Sequence, residues 1–171
     1  MSYTLIMSSE RVRRTLSRLA YEVVERNQGA ANLTVLGIRE RGTALARAMA
    51  KQIGEIEALS LDVHALDVEP YRDDRDRSTV EGALPDGALN IKDRDVILVD
   101  DVLFTGRTAR AALDAVVRYG RPRTIQLVVL IDRGHREYPI QPDYVGRTLP
   151  TKHKERVVFT LEGNFEVYVE E

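Results

Sequence analysis

The chain has 171 residues, of which 43% are hydrophobic and 30% are charged, values typical of one globular domain. Its 25 Lys and Arg residues against 27 Asp and Glu residues give a formal net charge of -2, which excludes a uniformly basic surface built to hold a polyanion. The absence of cysteine excludes disulfides, thiolate metal sites and cysteine nucleophiles, and it fits a reducing compartment. No apolar run is long enough to span a bilayer, and no signal-peptide pattern is present. We therefore expect a cytoplasmic protein without a membrane partner.

The first part of the chain predicts a helix followed by a strand, a loop and a second helix. Apolar residues recur at helical spacing between Ser8, which can cap a helix, and Gly29, which can end it. Residues 33–38 form a continuous apolar run typical of a buried strand, which enters a loop at residues 37–42. Residues 44–53 are strong helix formers, so they predict the second helix.

A long polar stretch separates two strand patterns in the middle of the chain. Residues 59–66 alternate as a strand, whereas residues 67–92 offer little that could be buried. Loops of this length are uncommon in compact domains and are often lids over active sites. Residues 95–99 then form a β-branched run typical of a central parallel strand. We expect residues 67–92 to be a flexible flap loop, and not a linker between domains.

The remaining pattern completes an α/β fold. Residues 109–119 predict a helix, residues 124–131 a buried strand, and residues 156–160 and 165–169 a terminal hairpin. Strands that alternate with helices need crossover connections, which favour a mostly parallel sheet. The sequence therefore predicts a single domain over residues 1–171, with helices that flank a mostly parallel central sheet.

The most informative segment covers residues 96–108. Its apolar strand delivers two adjacent carboxylates, Asp100 and Asp101, to the carboxyl end, where ligands of open α/β sheets bind. A turn that contains Thr105 and Gly106 then leads into a helix, whose N-terminal N–H groups favour a phosphate. Carboxylates suit the vicinal hydroxyls of a ribose better than they suit a phosphate. The segment therefore predicts a sugar-phosphate site.

A purely structural interpretation of the same segment is weaker. Asp100 and Asp101 could cap the helix, but side-by-side carboxylates repel each other and gain nothing from packing. The phosphate-binding pattern Gly-x4-Gly-Lys-Ser/Thr is absent, and no GxGxxG dinucleotide motif follows the first strand.

This segment resembles the phosphoribosyl diphosphate (PRPP) signature of the type I phosphoribosyltransferases. Over nearly the whole chain the sequence is similar to the PyrR family of bifunctional pyrimidine-operon regulators and uracil phosphoribosyltransferases. The closer resemblance is carried by Arg72-Asp73-Asp74, residues 99–107, Gly120-Arg121-Pro122, Asp132-Arg133-Gly134-His135-Arg136-Glu137, Tyr144-Val145-Gly146 and Pro150-Thr151. It implies the type I phosphoribosyltransferase fold, with a small hood at about residues 132–155 that leads into the C-terminal hairpin, residues 156–170.

The resemblance also implies roles for individual residues in uracil phosphoribosyl transfer. The catalytic group is Asp100, Asp101, Arg41 and Arg72. PRPP and UMP would be bound by the diphosphate loop and the signature turn, through Glu40, Arg41, Val102, Leu103, Phe104, Thr105, Gly106, Arg107 and Thr108. Uracil would lie in the hood, near Asp132, Arg133 and Gly134. Mg²⁺ would enter bound to the oxygens of PRPP, without a dedicated protein cage.

Charge is distributed unevenly along the sequence. Residues 11–47 hold 8 basic and 3 acidic groups (+5), and residues 102–156 hold 11 and 5 (+6), whereas residues 55–101 hold 5 and 14 (-9). Two basic segments on one face would attract an RNA backbone. By resemblance to the PyrR family, the partner is a stem-loop in the leader of pyr mRNA, and the candidate residues are Arg14, Ser17, Arg18, Tyr21, Arg26, Arg136, Arg147 and Lys152.

Alternatives remain open at this stage. The arginines of the first helix could belong to a solvated face and pair with nearby glutamates. The protein could be a uracil phosphoribosyltransferase without RNA binding, a nucleotide-sensing RNA-binding regulator with little activity, or a purine or orotate transferase. The resemblance further implies a homodimer or homotetramer.

Overall fold

The computed structural model describes residues 2–73 and 89–171, and those residues form eight strands and three helices. In chain order they are β1 (Tyr3–Met7), α1 (Ser9–Asn27), β2 (Leu33–Ile38), α2 (Arg39–Glu57), β3 (Val63–Leu66), β4 (Asp95–Leu103), α3 (Arg107–Val116), β5 (Thr124–Asp132), β6 (Tyr144–Thr148), β7 (Arg156–Thr160) and β8 (Glu166–Glu170). A short 3-10 turn spans Glu69–Tyr71. None of the helices in the described part of the chain is long and apolar enough to cross a membrane.

Five strands form the central sheet in the order β3-β2-β4-β5-β6, and every neighbouring pair is parallel. The apolar runs of β2, β4 and β5 are buried because helices cover both faces of the sheet. On one face, α1 and α2 contribute Leu19 and Met49 to a buried cluster. On the other face, α3 contributes small residues such as Ala112 to a second cluster. The predicted α/β fold with a mostly parallel sheet is confirmed.

The first helix forms as its sequence pattern predicts. The Ser8 side chain accepts a hydrogen bond from the Arg11 amide at the N-terminus, and Val12, Leu16, Leu19, Ala20 and Val23 form the buried stripe. Gln28 ends the helix in a left-handed conformation, directly before Gly29.

The predicted C-terminal hairpin is present as β7 and β8, which pair in an antiparallel arrangement. The short N-terminal strand β1 pairs with the other edge of β8 to complete a three-stranded sheet. The sequence does not predict β1, because its five residues are mostly exposed and lack a periodic apolar pattern.

Several element boundaries differ from the sequence-based prediction, and β6 is not predicted at all. The expected loop at residues 37–42 is largely helical, since α2 begins at Arg39. A Cβ atom on Gly42 would lie 2.4 Å from the Val99 carbonyl oxygen, so glycine lets α2 start directly against β4. The strand β4 continues past residue 99 to Leu103, β3 begins at Val63, and α3 ends at Val116.

Of the predicted flap at residues 67–92, only residues 67–73 and 89–92 lie in the described part of the chain. Residues 74–88 lie outside it, and the expectation of a flexible flap there stays a prediction.

The amino ends of β4 and β5 are joined by a buried carboxylate. Asp95, only 2% exposed, accepts hydrogen bonds from the Arg123 guanidinium, from Thr124 Oγ1 at 2.7 Å and from Asn32 Nδ2 at 3.2 Å. The hydrogen bond from Arg123 is the main cause that lowers the pKa of Asp95 to about 2.

We expect Asp95→Asn to lower the free energy of unfolding by about 2 kcal/mol at pH 7. The folded-state pKa lies below the unfolded value, so this stability is present above about pH 4 and is lost as the pH falls through about 2. Urea unfolding of both proteins between pH 2 and pH 7 measures the difference. A difference that does not change with pH would contradict the assignment to the Asp95 charge.

Candidate active site

The carboxyl ends of the parallel strands bring the predicted site segments to one edge of the sheet. Gly37 of β2 pairs with Val99 of β4, and beyond that pair β4 continues alone with β5 until Leu103 pairs with Asp132. The start of α2, the Asp100–Asp101 pair, the turn at residues 104–106 and the start of the hood therefore lie at the same edge.

Asp100 and Asp101 differ in burial. Asp100 is 9% exposed, and its burial, together with the neighbouring charge of Asp101, raises the pKa of Asp100 well above its usual range. Its Oδ1 accepts a hydrogen bond from the Asp101 amide at 3.0 Å. Asp101 Oδ1 accepts one from the Val102 amide at 2.9 Å, and its Oδ2 lies 4.0 Å from Nη1 of Arg41. The pair has free acceptor capacity but few charged partners, which suits the hydroxyl groups of a bound sugar.

The turn at residues 104–106 is shaped for a phosphate group. Gly106 has φ 88° and is the N-cap residue of α3, and the first amide of that helix, Arg107 N–H, donates to Thr105 Oγ1 at 3.3 Å. A Cβ atom there would lie 3.2 Å from the Ile140 side chain, so a larger residue would meet both strain and crowding. The Thr105 carbonyl oxygen accepts hydrogen bonds from the hood amides of Glu137 (2.9 Å) and Tyr138 (3.0 Å). With the carbonyl occupied by the hood, the N–H groups of the α3 N-terminus are the donors that suit an anion.

The residues that are predicted to bind diphosphate lie at the start of α2. Glu40 and Arg41 are both exposed there. Arg39 has an uncommon left-handed φ of 58° and pairs with Glu69 at 2.7 Å. Thr43 Oγ1 donates a 2.5 Å hydrogen bond to the Arg39 carbonyl, which helps to hold this conformation. Arg39 and Thr43 are site-forming residues that the sequence does not single out, because neither matches a recognised pattern.

Arg72 and Arg107 tie the beginning of the flap to the signature turn. Arg72 Nη1 donates to Thr108 Oγ1 at 3.2 Å, which places Arg72 beside the start of α3. The Arg107 guanidinium binds Asp73 and Glu137, each at 2.7 Å, and lies 4.7 Å from the centre of the Tyr138 ring. The side chain of Arg107 is therefore held by the flap and the hood, so its expected contribution to phosphate binding rests on its backbone.

The hood begins at Asp132, where β5 ends. Partial burial acts to raise the pKa of Asp132, but hydrogen bonds from Arg136 and from the Gly134 amide prevail and lower it. Arg133 is 6% exposed, and its guanidinium donates to Thr151 Oγ1 at 2.9 Å inside the hood. Uracil contact through the Arg133 side chain is therefore not supported by its placement, whereas Asp132 and Gly134 remain at the site edge.

No three His, Cys, Asp or Glu side chains gather into a possible metal site within residues 2–73 and 89–171.

Known proteins with similar sequences identify the family. The Phosphoribosyl transferase domain family matches residues 2–161. The bifunctional protein PyrR of Bacillus subtilis (strain 168) is 46% identical over 164 residues, which cover 92% of this chain and 90% of that protein. The PyrR protein of Deinococcus radiodurans is 48% identical over 159 residues, with 92% and 87% covered. The chain belongs to the PyrR family.

Solved structures support the fold. A hypoxanthine phosphoribosyltransferase of Trypanosoma cruzi superposes with a TM-score of 0.76 at 17% identity, covering 97% of this chain and 95% of that one. The HGPRT-ase of Leishmania tarentolae in complex with GMP gives 0.72 at 17% identity, covering 100% and 98%. At this identity the likeness shows the fold alone, and it confirms the type I phosphoribosyltransferase fold for this PyrR family member.

The RNA-binding candidates on α1 differ in their exposure and in their contacts. Arg14 is 73% exposed and pairs with Glu10 on the same helix, in agreement with the alternative of a solvated face. Arg18 pairs with Glu22 and donates to the β6 carbonyl of Gly146 at 2.6 Å. Arg26 lies near the same strand and pairs with Asp143 at 2.9 Å. Tyr21 is 59% exposed and, with Ser17, lines a cavity between α1 and α2.

The remaining RNA-binding candidates are placed differently from one another. Lys152 is 81% exposed beside Glu155, and Arg147 Nη1 donates to the Ile6 carbonyl of β1 at 3.0 Å. Arg136 is only 19% exposed, and its guanidinium is used inside the hood. Its placement corrects the expectation that Arg136 belongs to the RNA-facing surface.

Asp100 also has a testable effect on stability. We expect Asp100→Asn to raise the free energy of unfolding by about 1 kcal/mol at pH 7, because it removes a buried charge while keeping the shape of the side chain. The folded-state pKa lies above the unfolded value, so the gain should shrink as the pH falls through the raised pKa. Thermal unfolding between pH 4 and pH 8 measures the gain. Asp62→Asn, which changes an exposed aspartate outside this pair, serves as the matched control and should leave stability unchanged. A loss of stability in Asp100→Asn at pH 7 would contradict the assignment.

Proposed function

We propose that this PyrR family member transfers the phosphoribosyl group of PRPP to uracil, giving UMP and diphosphate, and that UMP governs its binding to a stem-loop in the leader of pyr mRNA. The observation that carries the transferase part is the meeting of the acidic pair, the phosphate turn and the hood at one sheet edge. The PyrR relatives over about 90% of the chain support the pairing of the two functions.

The reaction exchanges one bond at C1 of the ribose. The bond from C1 to the diphosphate oxygen breaks, and its electron pair leaves with diphosphate. N1 of uracil forms the new bond to C1 and loses its proton. The sugar carries positive charge in between, so the protein's contribution is position and electrostatics.

The site residues then take distinct roles. Asp100 and Asp101 hold the ribose hydroxyls, and the α3 N-terminus with Thr105 and Thr108 holds the 5′-phosphate. Arg41 stabilises the charge that develops on diphosphate, since it lies at the start of α2 and 4.0 Å from Asp101. Arg72, at the beginning of the flap beside Thr108, can reach the same reactant.

Mg²⁺ supplies further charge stabilisation in this scheme. The hard oxygens of a diphosphate are the ligands that Mg²⁺ prefers, so the ion would enter with PRPP. Asp101 is the nearby carboxylate that remains partly exposed, and it fits a contact to the hydrated ion or to the ribose.

Uracil is proposed to lie under the hood, beside Asp132 and Gly134. Gly134 has φ 79°, and nothing lies within 4 Å of the position where a Cβ atom would be. This open backbone allows a flat base to approach the peptide groups. A PRPP substrate and a nucleotide product are consistent with a cytoplasmic protein, and the likeness to the PyrR family suggests a homodimer or homotetramer.

The transferase proposal predicts production of UMP from labelled uracil and PRPP with Mg²⁺. We expect Asp100→Asn combined with Asp101→Asn to reduce the rate by about 100-fold or more, because the ribose loses its position. Uracil, hypoxanthine and orotate are offered in competition, so that the preferred base is identified in the same assay. Full activity in the double variant would refute the site, and preference for another base would refute uracil as the substrate.

The regulatory proposal rests on exposed cations of α1 and the hood. Among the charged candidates, the side chains of Arg14 and Lys152 are highly exposed, at 73% and 81%. They come from the two basic segments of the sequence, and their partners, Glu10 and Glu155, are local. Such surface pairs are weak, so a phosphate can replace the carboxylate. Arg18 and Arg147 also bind backbone carbonyls, so changing them would disturb the fold as well.

We expect Arg14→Gln combined with Lys152→Gln to weaken binding to a pyr leader stem-loop by about tenfold and to reduce the salt dependence by about one ion per lost phosphate contact. Arg118→Gln, which changes an exposed arginine after α3, is the matched control and should bind normally. Binding is measured at several salt concentrations with and without UMP. Wild-type protein that ignores the stem-loop at low salt would leave uracil transfer as the whole function. Binding without uracil transfer would favour a nucleotide sensor.

A further inference from the structure

Phe104 connects the phosphate turn to the base hood and is held at both its ring and its carbonyl. The Arg133 guanidinium lies 4.1 Å from the centre of the Phe104 ring. His135 and His153 meet the ring edge to face, with centroids at 5.7 and 5.5 Å. The Phe104 carbonyl oxygen accepts a hydrogen bond from Nη1 of Arg136 at 2.9 Å. Arginine and aromatic contacts of this kind favour one ring position.

Arg136 joins this residue to the base side of the site. Its Nη2 donates to the Asp132 carboxylate at 2.7 Å, and its Nε donates to the Ile140 carbonyl at 2.8 Å. The side chain of Ile140 in turn lies against Gly106. One planar guanidinium therefore spans the hood start, the hood loop and the phosphate turn, which a lysine ammonium cannot do with the same geometry.

Arg133 strengthens the same connection from the other side. Besides stacking on Phe104, its Nη2 donates to the Lys152 carbonyl at 3.0 Å, and its backbone amide donates to the Leu103 carbonyl at 3.1 Å. His135 Nε2 donates to the Thr151 carbonyl at 2.6 Å. Two segments of the hood, residues 132–136 and 149–153, thus meet on Phe104.

We propose that Arg136 and Arg133 are positioning residues, which fix the spacing between the phosphate turn and the base hood by holding Phe104. This inference rests on the proposed function, because it assumes a ligand with a phosphate at one end and a base at the other. Neither guanidinium needs to touch the ligand.

The spacing matters only for a ligand that contacts both the phosphate turn and the base hood, which we call the two half-sites. A nucleotide gains affinity from both ends when the two half-sites are held at the matching distance before binding. Ribose 5-phosphate occupies the turn alone, and its affinity does not depend on where the hood lies. Loss of the connection should therefore lower the affinity for a nucleotide and leave the affinity for ribose 5-phosphate nearly unchanged.

The test compares the dissociation constants of UMP and ribose 5-phosphate for the full chain by calorimetry. We expect Arg136→Lys to weaken the binding of UMP by about tenfold and the binding of ribose 5-phosphate by less than about twofold. The same variant should lower kcat for transfer more than it changes either KM. Phe104→Leu, which removes the ring that Arg133 stacks on, should give the same split.

Arg123→Lys is the matched control. It disturbs an arginine–aspartate pair with a buried carboxylate at the opposite end of the sheet, so it should lower the thermal midpoint without changing either dissociation constant. Equal weakening of both ligands by Arg136→Lys would overturn the proposal and show general damage to the turn. Unchanged UMP affinity with weaker binding of the leader stem-loop would overturn it in favour of an RNA contact.

Failure of the proposed function gives a different result. Wild-type protein that binds ribose 5-phosphate but prefers another nucleotide over UMP would refute uracil specificity, and the same comparison is then made with that nucleotide. Wild-type affinity for UMP that Arg136→Lys leaves intact refutes the positioning role alone.

Discussion

A buried carboxylate beside a second carboxylate is the constraint on which this site depends. Asp100 lies at the end of a strand that is buried on both faces, where ionisation is unfavourable, and Asp101 adds repulsion. Packing alone gives no reason for such a pair. A ligand whose hydroxyl groups donate hydrogen bonds to the two carboxylates would offset part of the cost of burying their charges. The pair is therefore better satisfied in the bound protein than in the free one. Both carboxylates are placed at this site because β4 extends past its last pairing with β2 and continues alongside β5.

The second requirement is a fixed path from the phosphate to the base. The carbonyls of residues 103–105 accept hydrogen bonds from the hood, which leaves the helix N-terminus for an anion. The turn and the hood therefore form one hydrogen-bonded unit even though some thirty residues separate them in sequence. A site of this kind tolerates changes at the surface, whereas changes at residues such as Gly106 or Arg136 alter its geometry.

The excess of arginine over lysine, 21 against 4, has a partly internal explanation. Arg94 donates to the Leu33 carbonyl at 2.6 Å and to Thr34, and Arg123 binds the buried Asp95. Arg133 and Arg136 each serve several acceptors in the hood. A planar fork with several donors meets such demands, and an ammonium group does not. Only part of the arginine content is thus exposed to solvent, and Arg14 on α1 and Arg118 after α3 belong to that part.

The sequence by itself determined the parallel sheet, the long α1 and the position of the acidic pair, because apolar runs, helical spacing and strand–turn–helix order are local patterns. It also determined the PyrR family through its motifs. Only the tertiary structure decided that α2 starts at Arg39, since the close approach of Gly42 to β4 is a long-range contact. Likewise, the resemblance to the PyrR family suggested that Arg136 faces RNA, but its surroundings place it inside the hood. Whether an arginine points to solvent or to buried carbonyls depends on acceptors that are distant in sequence, and the fold alone brings them together.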